Sequence, residues 1–306
     1  MTGKVLPFCK RPRIVHTSAV VVYSVAIMSM LRNYLAWQYS QFIQLRCDRQ
    51  LKSDMKLDYY YMPTRFEDLI LFPFLHYDSY GGLWLAQARP ARDLIQSFLD
   101  QELYVIAYLQ GSSVPILIYG YDPGGEVMAV RHEGHVLHPY PARMEDLKLF
   151  RLVTLKPNHS LVRNFNPLLF AEYAEDYLMS NNSSAKDSHF TGFTDDAIYG
   201  IRVYDQLKKY YLAYPPSEAK RYLKFLLEHK KHLTGAFMYM LKNQYIRYAD
   251  DCVKRYRSLV TAFRDMIRLT DQGNLTAREA GKFLDHIERE EKAILSAVLS
   301  EWRARR

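Results

Sequence analysis

Val114-Pro115-Ile116-Leu117-Ile118-Tyr119-Gly120-Tyr121-Asp122-Pro123-Gly124-Gly125-Glu126-Val127-Met128-Ala129-Val130-Arg131 is the stretch on which the fold turns. Two apolar runs flank Asp-Pro-Gly-Gly, whose proline and glycines supply turn dihedrals, so residues 114–121 and 126–131 are expected to pair as a β-hairpin. Residues 103–109 read as a further strand, with residues 153–155 and 161–162 as short additions to the same sheet. Upstream, residues 17–39 read as one helix with Ala19, Val22, Ala26, Met30 and Asn33 on a stripe, and residues 91–100 as a short amphipathic helix. Tyr80-Gly81-Gly82 and the Ser/Asn-rich residues 181–190 read as loops.

Beyond residue 190 the pattern turns helical. Segments 198–212, 217–248 and 250–270 are separated by Pro215-Pro216 and closed by Asp271-Gln272-Gly273-Asn274. Thr276 with Glu279 three residues on is a capping box opening a last helix to Trp302. The expected architecture is α+β: an α/β domain over residues 1–165 and an all-helical domain over residues 190–306.

With 306 residues, 49% of them hydrophobic, and 25 Tyr and 15 Phe, the chain can fill a sizeable aromatic core, which excludes a small disulfide scaffold and wholesale disorder. Its net charge of +8 is unevenly spread. Residues 1–57 hold nine Lys/Arg against two Asp/Glu (+7), residues 58–216 thirteen against nineteen (−6), and residues 217–306 nineteen against twelve (+7). An acidic middle between basic flanks suits an acidic partner without choosing its class. Cys9, Cys47 and Cys252 are odd in number and form no CxxC pair, which points to a reducing, cytoplasmic setting. Residues 14–31 imitate a targeting signal behind Lys4, Lys10, Arg11 and Arg13, but His16, Thr17, Ser18, Ser24 and Ser29 interrupt the roughly 20 apolar residues that a spanning helix needs. The reading is a buried helix, with no membrane partner.

No GxxxxGK[ST], GxGxxG, GxSxG or HExxH occurs. His132, His135 and His138 are spaced like ligands, yet on a strand end and loop that spacing points them to different faces, so the expectation is an exposed His-rich turn and no metal. Glu288-Arg289-Glu290-Glu291-Lys292 reads as a solvated helix face, and nucleic acid is not expected as a partner. Thr17 or Ser18 is a natural N-cap, a role that competes with a catalytic one. Lys10, Arg11 and Arg13 precede that helix start, whose dipole also attracts anions. Tyr119 and Tyr121 alternate around Gly120, so one faces the core and one can line a cleft. Asp78 and Asp122 are cleft carboxylates for a polycationic ligand or, as readily, turn residues. His229 either orients its helix through a hydrogen bond or donates a proton. Cys47 and Cys252 read as ordinary thiols.

Four stretches, in order along nearly the whole chain, carry a likeness: Leu6-Pro7 through His16-Thr17-Ser18 into an apolar helix, Leu117-Ile118-Tyr119-Gly120-Tyr121-Asp122, Tyr199-Gly200-Ile201-Arg202-Val203-Tyr204-Asp205, and Leu226-Leu227-Glu228-His229-Lys230. On these the chain resembles the butirosin biosynthesis protein H family. The resemblance implies a papain-like, cysteine-peptidase-like N-terminal domain with a helical C-terminal extension. It also implies cofactor-free transfer of a γ-glutamyl-aminohydroxybutyryl group from an acyl carrier protein thioester to an amine of an aminoglycoside such as ribostamycin, in antibiotic biosynthesis. A basic surface at Lys10, Arg11 and Arg13 would meet the acidic carrier, and Asp78, Tyr119, Tyr121 and Asp122 the acceptor.

The chain departs from the family where the chemistry lies. Thr17, followed by Ser18, stands where members carry Cys, and Ser112-Ser113-Val114-Pro115 where they carry His. One expectation is therefore a transferase using Thr17, Ser18 or Cys9 as nucleophile with His16 or another histidine as base, or no covalent intermediate, because a hydroxyl without a partnered base is a poor nucleophile and positioning an amine beside an activated thioester supplies much of the rate. The alternative is a catalytically inactive member acting as a binding or scaffold subunit; a peptidase is a remote third.

Overall fold

In the computed structural model the described residues are 3–60, 72, 74–81, 91–143, 147–161, 164–181, 197–247 and 250–305. Their elements run β1 (Lys4–Val5), α1 (Ala19–Met28), α2 (Tyr34–Gln38), β2 (Leu45–Asp48), β3 (Leu57–Tyr59), β4 (Leu75–Gly81), α3 (Ala91–Asp100), β5 (Tyr104–Leu109), β6 (Ile116–Tyr121), β7 (Glu126–Glu133), β8 (Val136–Arg143), β9 (Leu149–Pro157), α4 (Pro167–Met179), β10 (Ala197–Tyr199), α5 (Val203–Ala213), α6 (Pro216–Lys242), α7 (Asp250–Asp271) and α8 (Ala277–Ala304). The chain is α+β with a helical C-terminal region. Two compact units form, Met1–Leu35 with Phe66–Arg163, and Ala36–Arg65 with Asn164–Arg306. Residue 162 and residues 182–190, parts of an expected short strand and an expected loop, lie outside the described residues, as does Gly82.

The first unit holds an antiparallel sheet in the order β4-β9-β5-β6-β7-β8, with β1 paired to the end of β6. The expected hairpin is β6–β7. Asp122 closes its turn, Oδ1 accepting the Glu126 N–H at 2.8 Å. Gly120 is required by close approach rather than by its dihedrals: β1 crosses so near that a Cβ there would lie 2.6 Å from the Lys4 carbonyl oxygen. The register of β6 on β7 shifts between Ile118 and Gly120, a bulge at Tyr119. Against β7 and β9 lies α1, with nine consecutive residues from Val20 to Met28 buried. The helix expected over residues 17–39 is two, because α1 stops at Met28 and Asn33 takes a left-handed φ of 62° before α2. No helix among the described residues is long and apolar enough to cross a membrane.

The second unit departs from the expected boundary: it takes in Ala36–Arg65, which the expected division at residue 165 puts in the first domain. The reason is hydrogen bonding. β2 and β3 pair with β10 in a separate three-stranded sheet. Side chains of α5 and α6 donate to the main chain of the same segment: Gln206 Nε2 to the Arg49 carbonyl at 2.6 Å, Tyr210 to Ser53 at 2.9 Å, Tyr222 to Met55 at 2.7 Å, and His229 and His232 to Ile43 and Gln41 at 2.8 Å each. Main-chain carbonyls that leave water need such partners, and here the helices supply them, so the segment belongs with those helices. The helix expected from residue 198 begins instead at Val203, after β10 and a 3-10 turn over Gly200–Arg202. The capping box at Thr276 forms as expected.

At the centre of this unit sits a buried ion pair. Lys230 Nζ lies 2.5 Å from Glu291 Oε1, both side chains fully buried. Glu291 also accepts from Tyr177 at 2.9 Å, from Tyr204 at 2.8 Å and from Tyr256. Lys230 further donates to His229 Nδ1 at 2.9 Å. An ammonium has no acceptor, so His229 carries its proton on Nε2, the atom facing the Ile43 carbonyl. Burial, and then the Lys230 charge, hold the His229 pKa well below the imidazole value of 6.5. The native state therefore binds fewer protons than the unfolded state as pH falls below 6.5, and stability is lost toward the folded pKa. His229→Gln, which does not titrate, is expected to flatten this acid slope; parallel urea-melt stabilities for both proteins between pH 7 and pH 5 would refute the assignment.

Candidate active site

Ser18 occupies the N-cap of α1 with extended backbone (φ −60°, ψ 149°), yet its side chain makes no capping bond. Its Oγ is buried and has no hydrogen-bond partner among the described residues. This corrects the expected capping role: the backbone is placed for it, but the hydroxyl is not used. The first turn of a helix presents N–H groups without intrahelical partners and the positive end of its dipole, so a polar oxygen here sits where negative charge is favoured.

Imidazoles gather at the same helix end. His16 and His135 stack with ring centroids 4.2 Å apart, and the His132 and His135 centroids are 6.1 Å apart. His135 reaches this position because Gly134 and His135, with φ of +56° and +64°, form the two-residue turn between β7 and β8. Positive φ at both central residues is the geometry that matches strand twist. His132 Nε2 lies 2.9 Å from the Val15 carbonyl, which fixes the proton of a neutral ring on Nε2. Its backbone is held too. The Tyr23 hydroxyl, buried in α1, accepts the His132 N–H at 2.9 Å and donates to the Pro115 carbonyl at 2.8 Å. Burial raises the Tyr23 pKa far above its usual value, keeping the hydroxyl protonated for both bonds. The expected exposed His-rich turn is thus only partly so. His138 is exposed, with Nε2 3.3 Å from the Glu133 carbonyl, while His132 and His135 are half-buried. Among the described residues no three His, Cys, Asp or Glu are grouped to hold a metal.

The remaining expected site residues are dispersed. Cys9 is half-buried, and its N–H donates to the Ala26 carbonyl at 2.9 Å. Ala26 lies about 12 Å along the helix axis from Ser18 at 1.5 Å per residue, so Cys9 is not part of the cluster. From there the chain runs back along α1, leaving Lys10, Arg11 and Arg13 exposed. Tyr121 is buried and donates to Asp100 Oδ1 at 2.8 Å. Tyr119 is half-buried against Phe8, with centroids 4.7 Å apart, and its carbonyl accepts from Leu6 N at 2.7 Å. Asp122 does the work of a turn residue. These three lie at the β6–β7 turn, the length of β7 from His132, or about 20 Å at ~3.4 Å per residue. Asp78 is exposed on β4, with β9, β5 and β6 between it and β7, about 19 Å at ~4.8 Å per strand. The two other thiols do not compete with Ser18. Burial pushes the Cys47 thiol up to about 12 and also raises that of Cys252.

Sequence reasoning missed Tyr23, His132 and His135 as members of this cluster. The signal for His135 was the two-residue spacer Gly134-His135 between alternating runs; for Tyr23, a lone aromatic in an otherwise aliphatic helix. A search of protein-family models gives no match to the chain, and a search of curated proteins gives none either.

Proposed function

We propose that the protein is an acyltransferase that moves an aminoacyl group from an acyl carrier protein thioester to an amine, with Ser18 as nucleophile. The observation that carries this reading is the buried Ser18 hydroxyl, unpartnered among the described residues, at the N-terminus of α1, two residues after His16, whose ring stacks on His135, and three after Val15, whose carbonyl faces His132. Ser18 Oγ, which no imidazole bonds in the free chain, attacks the thioester carbonyl as an imidazole of the cluster closes on it in the acyl-donor complex and takes its proton. The N–H groups of the first turn face the oxyanion. The C–S bond breaks, and the carrier sulfur leaves with the proton. The amine then attacks the Ser18 ester and gives a proton to the imidazole. The C–O bond breaks, and Oγ recovers its hydrogen.

The reading includes a papain-like first unit, in which a nucleophile heads a buried helix laid on an antiparallel sheet. It is supported by α1 lying on β7 and β9 and by the position of Ser18, one residue after the family's cysteine. The family's histidine belongs just before the strand that is β6 here, and Tyr23 bonds that segment at Pro115 and the neighbouring His132 alike. His132 is then an imidazole supplied from the adjacent strand. Exposed Lys10, Arg11 and Arg13 suit the acidic carrier, and an aminoglycoside is the acceptor that the family likeness favours.

The test is incubation with a carrier loaded with the γ-glutamyl-aminohydroxybutyryl group, with and without ribostamycin, read by mass spectrometry. Expected are an acyl adduct on the protein and, with ribostamycin, the acylated aminoglycoside; Cys9→Ala leaves both intact. A carrier that binds without any acyl movement would overturn the enzyme reading in favour of a scaffold subunit.

A further inference from the structure

We propose that the groove between α6 and α7 in the second unit binds a phosphorylated, hydroxyl-bearing small molecule. The groove has a volume of about 310 Å³ and is lined by Lys231 and Thr234 from α6 and by Arg257, Val260, Thr261 and Arg264 from α7. That volume lies at the lower end of the ~300–1,000 Å³ typical of small-molecule sites. The lining is set by helix period, with i, i+3 on α6 and i, i+3, i+4, i+7 on α7 turned toward one space.

Among the described residues three cations line it and no carboxylate does. On the same helices other cations are paired: Lys220 with Asp271, Arg255 with Glu290 at 2.8 Å, and Arg268 with Asp265 at 3.2 Å. Lys231, Arg257 and Arg264 have no ion-pair partner among the described residues. Three like charges without a counter-charge repel one another, a cost that a bound dianion removes. Arg257 Nη2 donates to Met238 Sδ at 3.2 Å, which carries the guanidinium across toward α6. Guanidinium forks match phosphoryl oxygens, and the lysine adds a point charge.

The threonines narrow the ligand further. Thr234 Oγ1 donates to the Lys230 carbonyl at 2.7 Å, and Thr261 Oγ1 to the Arg257 carbonyl at 3.2 Å. With their protons engaged, both oxygens serve as acceptors, which suits ligand hydroxyls rather than phosphoryl oxygens. A sugar or polyol phosphate combines the two requirements. The site stands whether or not Ser18 is acylated.

Isothermal titration of the full chain with glucose 6-phosphate, inorganic phosphate and glucose tests this. Glucose 6-phosphate is expected to bind saturably and more tightly than phosphate, with no saturable binding of glucose. Arg257→Gln with Arg264→Gln is expected to weaken it by at least about tenfold, and Arg278→Gln, an exposed cation on α8, to leave it unchanged. All three arginines are exposed, so folding is preserved and checked by thermal melting. Absence of saturable binding, exclusion of glucose 6-phosphate while phosphate binds, or an equal loss in Arg278→Gln would overturn the assignment.

Discussion

Glu291→Gln lowers the unfolding free energy of the helical unit by about 3–5 kcal/mol, the cost of leaving a buried charge without its partner. Glu291 receives Lys230, Tyr177, Tyr204 and Tyr256 on its two oxygens, all within a fully buried cluster. A glutamine keeps one acceptor oxygen and turns an NH2 toward groups that are themselves donors. Lys230→Met is expected to cost less, since three tyrosine hydroxyls still face the carboxylate. Burial already pulls the Lys230 pKa below its usual value, and only Glu291 opposes this. Urea midpoints at unchanged slope measure both exchanges. A loss under about 1 kcal/mol for Glu291→Gln, within the range of an ordinary hydrogen bond, would show that the carboxylate is not the hub.

Ser18→Ala is expected to abolish the acyl-enzyme and reduce acyl transfer by at least about a hundredfold, the lower bound for losing a group that acts in the transition state. Its effect on stability separates a site from a cap. Removing a serine that caps a helix costs about 0.5–2 kcal/mol. Removing a buried hydroxyl without a partner relieves a desolvation penalty of about 1–3 kcal/mol, so the variant is expected to be as stable as the parent or more so. Activity lost with stability kept identifies Ser18 as the working hydroxyl; a destabilised variant with full transfer identifies it as a cap.

Much of the frame was legible because period and turn chemistry act locally. The β6–β7 hairpin, α3, α7 and the Thr276 capping box follow from residues a few positions apart. The division of the chain did not, since carbonyls of residues 41–55 are satisfied by side chains more than 150 positions later. Glu291 was hidden by composition. In Glu288-Arg289-Glu290-Glu291-Lys292 it looks like one more solvated acid, yet it falls in phase with Leu284, Ile287, Ile294 and Val298, as Lys230 does with Leu223, Leu226, Leu233 and Phe237. Two opposite charges on two apolar stripes are the readable mark of a buried pair. At the candidate site, His16 and Ser18 were visible from their place before the helix, whereas His132 and His135 join them only through a turn that sequence spacing could not aim.

The interruption of the first unit by Ala36–Arg65 sets an order of events during synthesis. β2 and β3 leave the ribosome well before β10, α5 and α6, the elements that receive their main-chain groups. At 5–20 residues per second that wait lasts on the order of ten seconds. Through it the nascent chain holds at most the β2–β3 ribbon, without its third strand β10, with Cys47 and Tyr59, later buried, still open to solvent. The helical unit is thus completed only after the elements of the first unit are made, and its assembly covers a segment translated more than a hundred residues earlier.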